Sequence, residues 1–467
     1  MTSTKRMGFR LAAVLALAAC SPGEILKVDN PDIIDPEGLT TPQGIAALYA
    51  GALGDFSVAV IGDNGGTEGQ ILVGGSFTDE LGNSETFPTR KEYDQRGPID
   101  ARNGTLLAVF RNIHRARRSA ERSAAVLRDV VTDPVVDSRV GESFALAGTI
   151  YNYLGEQYCS GVPISTASED GSLTFGNPMT TVELFTEAAK RFDSAAKYPG
   201  PVANTTIVNF AKVGKGRALL NLGQFAAAAA AVAGVPTTFT YNTTHTLSLG
   251  RQQNGIFVFI SQSERFTVAD LDGTNGLNFR GALDPRVPWA RIPANDVGFD
   301  AATPQYDQGK YASETATVSI ASGVEARLIE AEAQLKAGNS AGWLTTLNTL
   351  RATAAVPTVY PAGFPAPSTF PALTPLADPG TATAREDLMF RERAFWLYLS
   401  GHRLGDLRRM VRDYGRTADA VYPGGGGKPY IINGNNKGGT FGTEYNLPIP
   451  FDETNNPNFT NCINRNP

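Results

Sequence analysis

Apolar positions recur with helical spacing along most of this chain. In "LLAVFRNIHRARRSAERSAAVLRDVV", residues 106 to 131, Phe110, Ile113, Ala120 and Leu127 share one face, which predicts a long amphipathic helix. Four arginines between 111 and 118 fall on the other face and are expected to be solvated. An earlier helix is expected where Thr40 or Thr41 precedes Pro42, with Ile45, Leu48, Tyr49 and Leu53 as its stripe. Another runs through Phe144, Ile150, Tyr151 and Leu154 to a Gly-Val-Pro turn at 161 to 163. A helix pair is expected over 180 to 232, and "GRALLNLGQFAAAAAAVAGV" within it places Ala218, Leu222, Gly223, Phe225 and Ala228 at tetratricopeptide-like spacing. "VEARLIEAEAQLKAGNSAGWLTTLNTLR", 324 to 351, repeats that pattern with Ala333, Leu335 and Gly338. More than a hundred residues separate the two, so scattered helical pairs are expected rather than a tandem solenoid.

The remaining segments lack this period. Residues 61 to 104 are rich in Gly, Asp, Asn and Thr and read as loops. "TTFTYNTTHTLSL" and "GIFVFISQ", within 235 to 317, suggest short strands. "LDGTNGLNFRGALDPRVPWARI" is loop-like, with Trp289 beside several arginines. A proline-rich stretch at 356 to 380 carries Tyr360, Phe364 and Phe370, and a glycine-rich one at 420 to 445 carries Tyr422, Tyr430 and Phe441. Long irregular segments inside a compact domain are uncommon unless they work for a living surface. The candidate ligand contacts are therefore Trp289, Tyr360, Phe364, Tyr422 and Tyr430, aromatic groups able to stack on a sugar ring or a peptide side chain.

Composition adds constraints. With 42% hydrophobic and 19% charged residues the chain is globular, and a net charge of −5 gives no basic surface for nucleic acid. The only segment expected to enter a membrane is the first. Lys5, Arg6 and Arg10 precede the apolar run Leu11 to Ala19, and Leu17-Ala18-Ala19-Cys20 resembles the bacterial lipobox. Residues 1 to 19 then form a signal peptide, and Cys20 is lipidated as the membrane anchor. That leaves Cys159 and Cys462, an even count in an exported chain, so a disulfide between them is expected.

Catalytic signatures are sparse. The sequence has no Gly-x-Ser-x-Gly, no His-Glu-x-x-His and no Cys-x-x-Cys. "GGGGK" at 424 to 428 lacks phosphate-loop spacing, and "DLDGTNG" at 270 to 276 fails calcium-loop spacing. No catalytic residue, metal or cofactor is expected. In "RERAFWLYLSGHRLGDLRRM", 391 to 410, a single helix is expected with Phe390, Ala394, Leu397, Gly401, Leu404 and Leu407 on one face. Arg403 and Asp406, three apart, are expected to pair or to cap a neighbouring loop. The segment reads as scaffold rather than active site.

Several of these stretches, in this order, resemble the SusD/RagB family of outer-membrane nutrient-binding lipoproteins. They are the lipobox at Cys20, the "GVPI" element after the 144 to 159 helix, the helices around Gly223 and Gly338 with "EARLIEAEA", "RERAFWLYLSGHRLGDLRR", and the tail "YNLPIPFDETNNPNFTNCINRNP". The resemblance implies a mainly α, SusD-like fold of tetratricopeptide-like helical pairs with long irregular loops and a few short strands. It implies one domain over 20 to 467, with an N-terminal helical part (20 to 234), a loop-rich, β-containing insertion (235 to 320) and further helices (321 to 355). The proline-rich insertion, C-terminal helix and glycine-rich tail complete it (356 to 467). It also implies a non-enzymatic protein anchored to the outer membrane and facing outward, which binds an oligosaccharide or peptide and passes it to a SusC-like TonB-dependent transporter. Two other classes remain open on the residues: a helical scaffold lipoprotein for envelope assembly, and a surface glycoside hydrolase built on two distant carboxylates.

Overall fold

Helix α1, Pro42–Ile61, begins where the Thr41 hydroxyl accepts the backbone N–H of Gly44. A hydroxyl at the N-cap with proline just inside is a favourable helix start. The computed structural model describes residues 38, 40–168, 172–201, 205–366 and 369–467. Two compact units emerge, Met1–Ala46 and Ala47–Pro467. Of the first, only 38 and the helix start at 40–46 are described. By length and a mean hydropathy of 1.7, α1 also meets the test for crossing a membrane. This corrects the expectation that only the first segment does, although Phe56 and 58–61 of α1 are buried within the fold.

The stretch 61 to 104, expected to be loops, holds regular structure. Helix α2 (Gln70–Phe77) is buried along its whole length, and Leu81–Asn83 pairs antiparallel with Phe266–Val268. Helix α3 (Pro88–Gln95) follows, with proline in its first turn. Neither helix shows an amphipathic stripe in sequence, because α2 is surrounded on all sides and α3 is mostly polar. "GIFVFISQ" is the converse case: it forms a short helical turn instead of a strand. The Asn254 side chain accepts the N–H groups of Ile256 and Phe257, a cap that outweighs the β-branched composition.

The body is a run of antiparallel helices, each packed on the next: α4 (Gly104–Val130), α5 (Ser138–Gln157), α6 (Thr181–Lys197), α7 (Thr206–Asn221), α8 (Phe225–Val232), α9 (Gly323–Lys336) and α10 (Ser340–Thr353). Polar caps set most of the starts, namely Asn103, Asp137, Thr180 with Glu183 in a capping box, Ser322 and Asn339. Gly223 (φ 71°) and Gly338 (φ 75°) make the matching tight turns between helices. Helix α8 lies directly against α9. The two repeat-like motifs are therefore neighbours in space, which corrects the picture of scattered pairs. Residues 235 to 322 loop out of a continuous stack and return to it through an antiparallel pair, Thr240–Thr243 with Val318–Ser322.

Residues 391 to 410 do not form one helix. Helix α11 (Ala382–Trp396) ends before the middle of the segment, and α12 (Arg403–Tyr414) starts after a turn. The turn between them puts Leu399 at φ 47° and Gly401 at φ 75°. A Cβ on Gly401 would stand 2.7 Å from the Tyr153 ring, so glycine is required for both the backbone and the close approach. The segment's charges do not point to solvent. Arg403 binds Asp79 at 2.6 and 2.8 Å, not Asp406. Asp406 instead holds Arg393 (2.9 Å) and Arg409 (2.8 Å), and Arg409 reaches Glu332 of α9. Arg408 donates to the carbonyls of Gly155, Glu156 and Tyr158 at the end of α5. All are buried. The segment is scaffold, but it works as a polar clamp rather than an apolar face. On α4 the expected solvated row is likewise broken: Arg117 is buried and paired with Glu121.

The C-terminal tail returns to the end of α5. Ile463 N–H donates to the Ser160 carbonyl at 2.7 Å, and Cys159 and Cys462, 303 residues apart in sequence, are joined by a disulfide.

Candidate functional site

Among the described residues, two of the exposed aromatic groups lie beside the long insertion. Phe87 and Phe299 are 48% and 52% exposed, too high for core packing and close enough together to share one cation. The Arg265 guanidinium sits 4.1 Å from the Phe299 ring centre and 5.3 Å from that of Phe87. Its charge is balanced by Glu85 at 2.6 Å. Farther along the insertion, Trp289–Ala290 pairs with Asp307–Gln308. That short ladder sets the Trp289 ring 5.5 Å from Tyr306 in an edge-on contact. Arg280 lies 3.6 Å over Tyr306, and its carbonyl accepts the Trp289 indole N–H. Stacked arginines of this kind hold rings in place while leaving edges and outer faces to solvent.

Phe364 of the proline-rich segment closes on the same ladder. Glycine is needed at 309, since a Cβ there would lie 2.8 Å from the Phe364 ring. Tyr360 is 6.2 Å from Phe364 and 6.0 Å from Phe370. Trp289, Tyr360 and Phe364 are thus half-buried residues of two segments that meet at 288–309. Tyr422 and Tyr430 do not join them. Both are wholly buried: the Tyr422 hydroxyl donates to the Tyr445 carbonyl, and that of Tyr430 to Asp94. The glycine-rich stretch folds as a hairpin, Pro429–Ile432 with Asn435–Thr440, whose inner residues Tyr430, Ile432 and Phe441 form a small core. Their candidacy as ligand contacts is corrected by this burial. Cys20 lies outside the described residues.

Two signals mark this region, one in the sequence and one in the backbone. Phe87 precedes a proline and Phe299 sits between glycine and aspartate, contexts that keep a large ring from packing inward. Backbone strain is the other signal, visible only in the fold. Of eight non-glycine residues with positive φ among the described residues, five lie from Glu264 to Ala301. Such conformations persist where surrounding structure enforces them, often at binding sites.

Two acids of this face lie beside other acids rather than beside arginines. Burial, with Asp296 and Glu264 nearby, pushes the Asp307 carboxyl up to about 7. Burial and Asp296 also raise Glu264. A carboxyl protonated near neutrality donates a hydrogen bond as well as accepting one, which suits a hydroxyl-rich ligand.

A Ser–His–Glu arrangement exists elsewhere. Ser400 Oγ is 2.9 Å from His402 Nδ1, and His402 Nε2 is 3.0 Å from Glu325. All three are buried, the serine hydroxyl donates to the Leu397 carbonyl, and the adjoining cavity of about 50 Å³ has room for water but not for a substrate. The arrangement belongs to the clamp between α9 and α12. Among the described residues no group of three His, Cys, Asp or Glu side chains is placed to hold a metal ion.

The sequence model of a family described as "SusD family" matches residues 325–467. No curated protein matches the chain in sequence. Solved structures match almost throughout. A SusD superfamily protein from Bacteroides vulgatus is 14% identical, with a TM-score of 0.60, covering 90% of this chain and 98% of its own. A SusD-like carbohydrate-binding protein from Bacteroides fragilis gives 13% identity, a TM-score of 0.64, and coverage of 90% and 99%. A laminarin-binding SusD-like protein gives 16%, 0.60, and coverage of 91% and 99%.

Proposed function

We propose that this chain belongs to the SusD/RagB family, and that it is an outer-membrane lipoprotein that captures a nutrient glycan outside the cell and delivers it to a SusC-like TonB-dependent transporter. The observation that carries the reading is a pair of arginine-stacked aromatic groups, the exposed Phe87 and Phe299 with Arg265 and the half-buried Trp289 and Tyr306 with Arg280. Flat rings offer dispersion contact to the C–H faces of sugars, and the neighbouring acids and arginines offer hydrogen bonds to hydroxyls. Two of the similar structures are described as carbohydrate-binding and laminarin-binding, which supports a glycan over a peptide as the ligand.

Cys20 is proposed as the lipidated residue. Trp289, Tyr360 and Phe364 remain proposed ligand contacts, joined now by Phe87 and Phe299. The protein does no chemistry on its ligand in this reading.

An affinity pull-down of the lipid-anchored protein from mild-detergent outer membranes is the test of partnership. Stoichiometric recovery of a TonB-dependent barrel is expected. Recovery of envelope assembly factors alone would turn the reading towards the scaffold role. A glycan array, with Phe299→Ala as control, tests the face itself: binding by the native protein and loss in the variant are expected.

A further inference from the structure

A second concavity, of about 430 Å³, lies between the 318–322 strand and residues 355–359 of the proline-rich segment. That volume lies within the range of ligand pockets and accommodates one or two sugar rings. Its polar lining is dominated by donors: the Lys310 ammonium, the hydroxyls of Thr317, Ser319 and Ser322, and the Asn242 amide. One wall is apolar, formed by Trp396, Val324 and the 355–359 segment. No aspartate or glutamate lines it.

Lys310 is half-buried and has no carboxylate within ion-pair reach among the described residues. It gives one hydrogen bond, to the Tyr398 carbonyl, which leaves two N–H groups. The other cation of the lining is already satisfied: Arg286 is bound by Asp284 and Glu392 at 2.7 Å each. Taking an ammonium out of water without a partner is costly, and a ligand anion removes that cost.

We propose that this cleft is a binding site for a carboxylate-bearing sugar, with Lys310 as the counter-charge and the Ser319, Ser322 and Asn242 side chains bonding the ring hydroxyls. None of Phe87, Arg265, Phe299, Trp289 and Tyr306 lines the cleft, and the assignment does not depend on their role. A sugar acid suits the lining better than a bare anion, because an apolar wall and several neutral hydroxyls would contribute nothing to acetate.

The proton balance supports the assignment. Burial lowers the Lys310 amine to about 8, and burial raises the nearest acid, Glu80, to about 8. The other groups facing this lysine are Tyr398 and Tyr311, both raised, the paired Arg286, and His402 with Glu325 across the small inner cavity. A bound carboxylate favours the charged amine, so affinity should fall between pH 7 and pH 9.

Isothermal titration of the purified full chain with glucuronate, glucose and acetate decides the matter. Glucuronate should bind at least about tenfold more tightly than either control, and Lys310→Met should lose about that factor, the magnitude of one charge-assisted hydrogen bond. Ser319→Ala gives a milder loss and serves if the lysine variant does not fold. Glucose equal to glucuronate would remove the role of Lys310. Acetate equal to glucuronate would reduce the cleft to a simple anion site, and no binding of glucuronate would overturn the proposal outright.

Discussion

The helical body and the loop face use the same side chains in opposite ways. In the body, Arg393, Arg409, Arg403 and Arg217 are buried, and each meets a carboxylate from another element. On the face, Arg280 lies over aromatic rings, Arg265 stacks on two rings while also pairing with Glu85, and the nearby Asp307 and Glu264 have no basic partner among the described residues. The difference shows in proton affinity. Neighbouring arginines hold Asp406 and Asp79 well below the usual carboxylate range against the opposing effect of burial, whereas burial raises Asp307. A dense run of charge in sequence therefore marked the place that holds the fold together. The proposed ligand face carries exposed rings at Phe87 and Phe299.

This contrast can be broken most forcefully at Asp406. Asp406→Ala leaves Arg393 and Arg409 with Glu332 alone, and should cost about 3–5 kcal/mol in unfolding free energy, because two buried cations then share one carboxylate. Chemical denaturation measures it, and a loss below about 1 kcal/mol would mean the clamp is solvated. Next in size is the Cys159–Cys462 link. Cys159→Ser with Cys462→Ser should lower stability by about 2–4 kcal/mol while leaving glycan affinity intact, since the link lies at the end of α5 and not on the face.

The pH dependence should separate the two regions by sign. Asp406 and Asp79 have folded pKa values below their unfolded ones, so their contribution is present above about pH 4 and is lost as pH falls further. Asp307 is shifted the other way. Its contribution is full below its unfolded value of 3.8 and is lost as pH rises to about 7. Hydrogen exchange, corrected for intrinsic rates, should therefore show 264–309 more open at pH 8 than at pH 6, with α11 and α12 unchanged. Equal behaviour of both regions would contradict the contrast. The smallest stability effect belongs to Phe299→Ala, under about 0.5 kcal/mol because the ring is half in solvent. Glycan binding should nevertheless drop by roughly tenfold, the magnitude of one lost stacking contact.

What the sequence determined by itself was local. Thr41 before Pro42, the capping box at Thr180 and Glu183, and glycines at 223 and 338 each state a helix boundary in a few residues. The four-residue period then names the helices between them. The ordered motifs from the helix before "GVPI" to the closing asparagine-proline tail carried a family resemblance, and the model of that family matches residues 325–467. Tertiary structure decided everything that depends on distant residues. The stacking of α8 on α9 across the 235 to 322 excursion has no sequence signal, because loop length does not report which ends meet. Helix α2 is buried on every side and has no stripe to read. Tyr430 and Trp289 look alike in sequence, each in a glycine- and proline-containing loop, yet Asp94 and a small apolar core enclose the first while a short ladder leaves the second half in solvent. An aromatic residue gains by burial wherever its hydroxyl or N–H finds a partner, and only the folded chain supplies that partner.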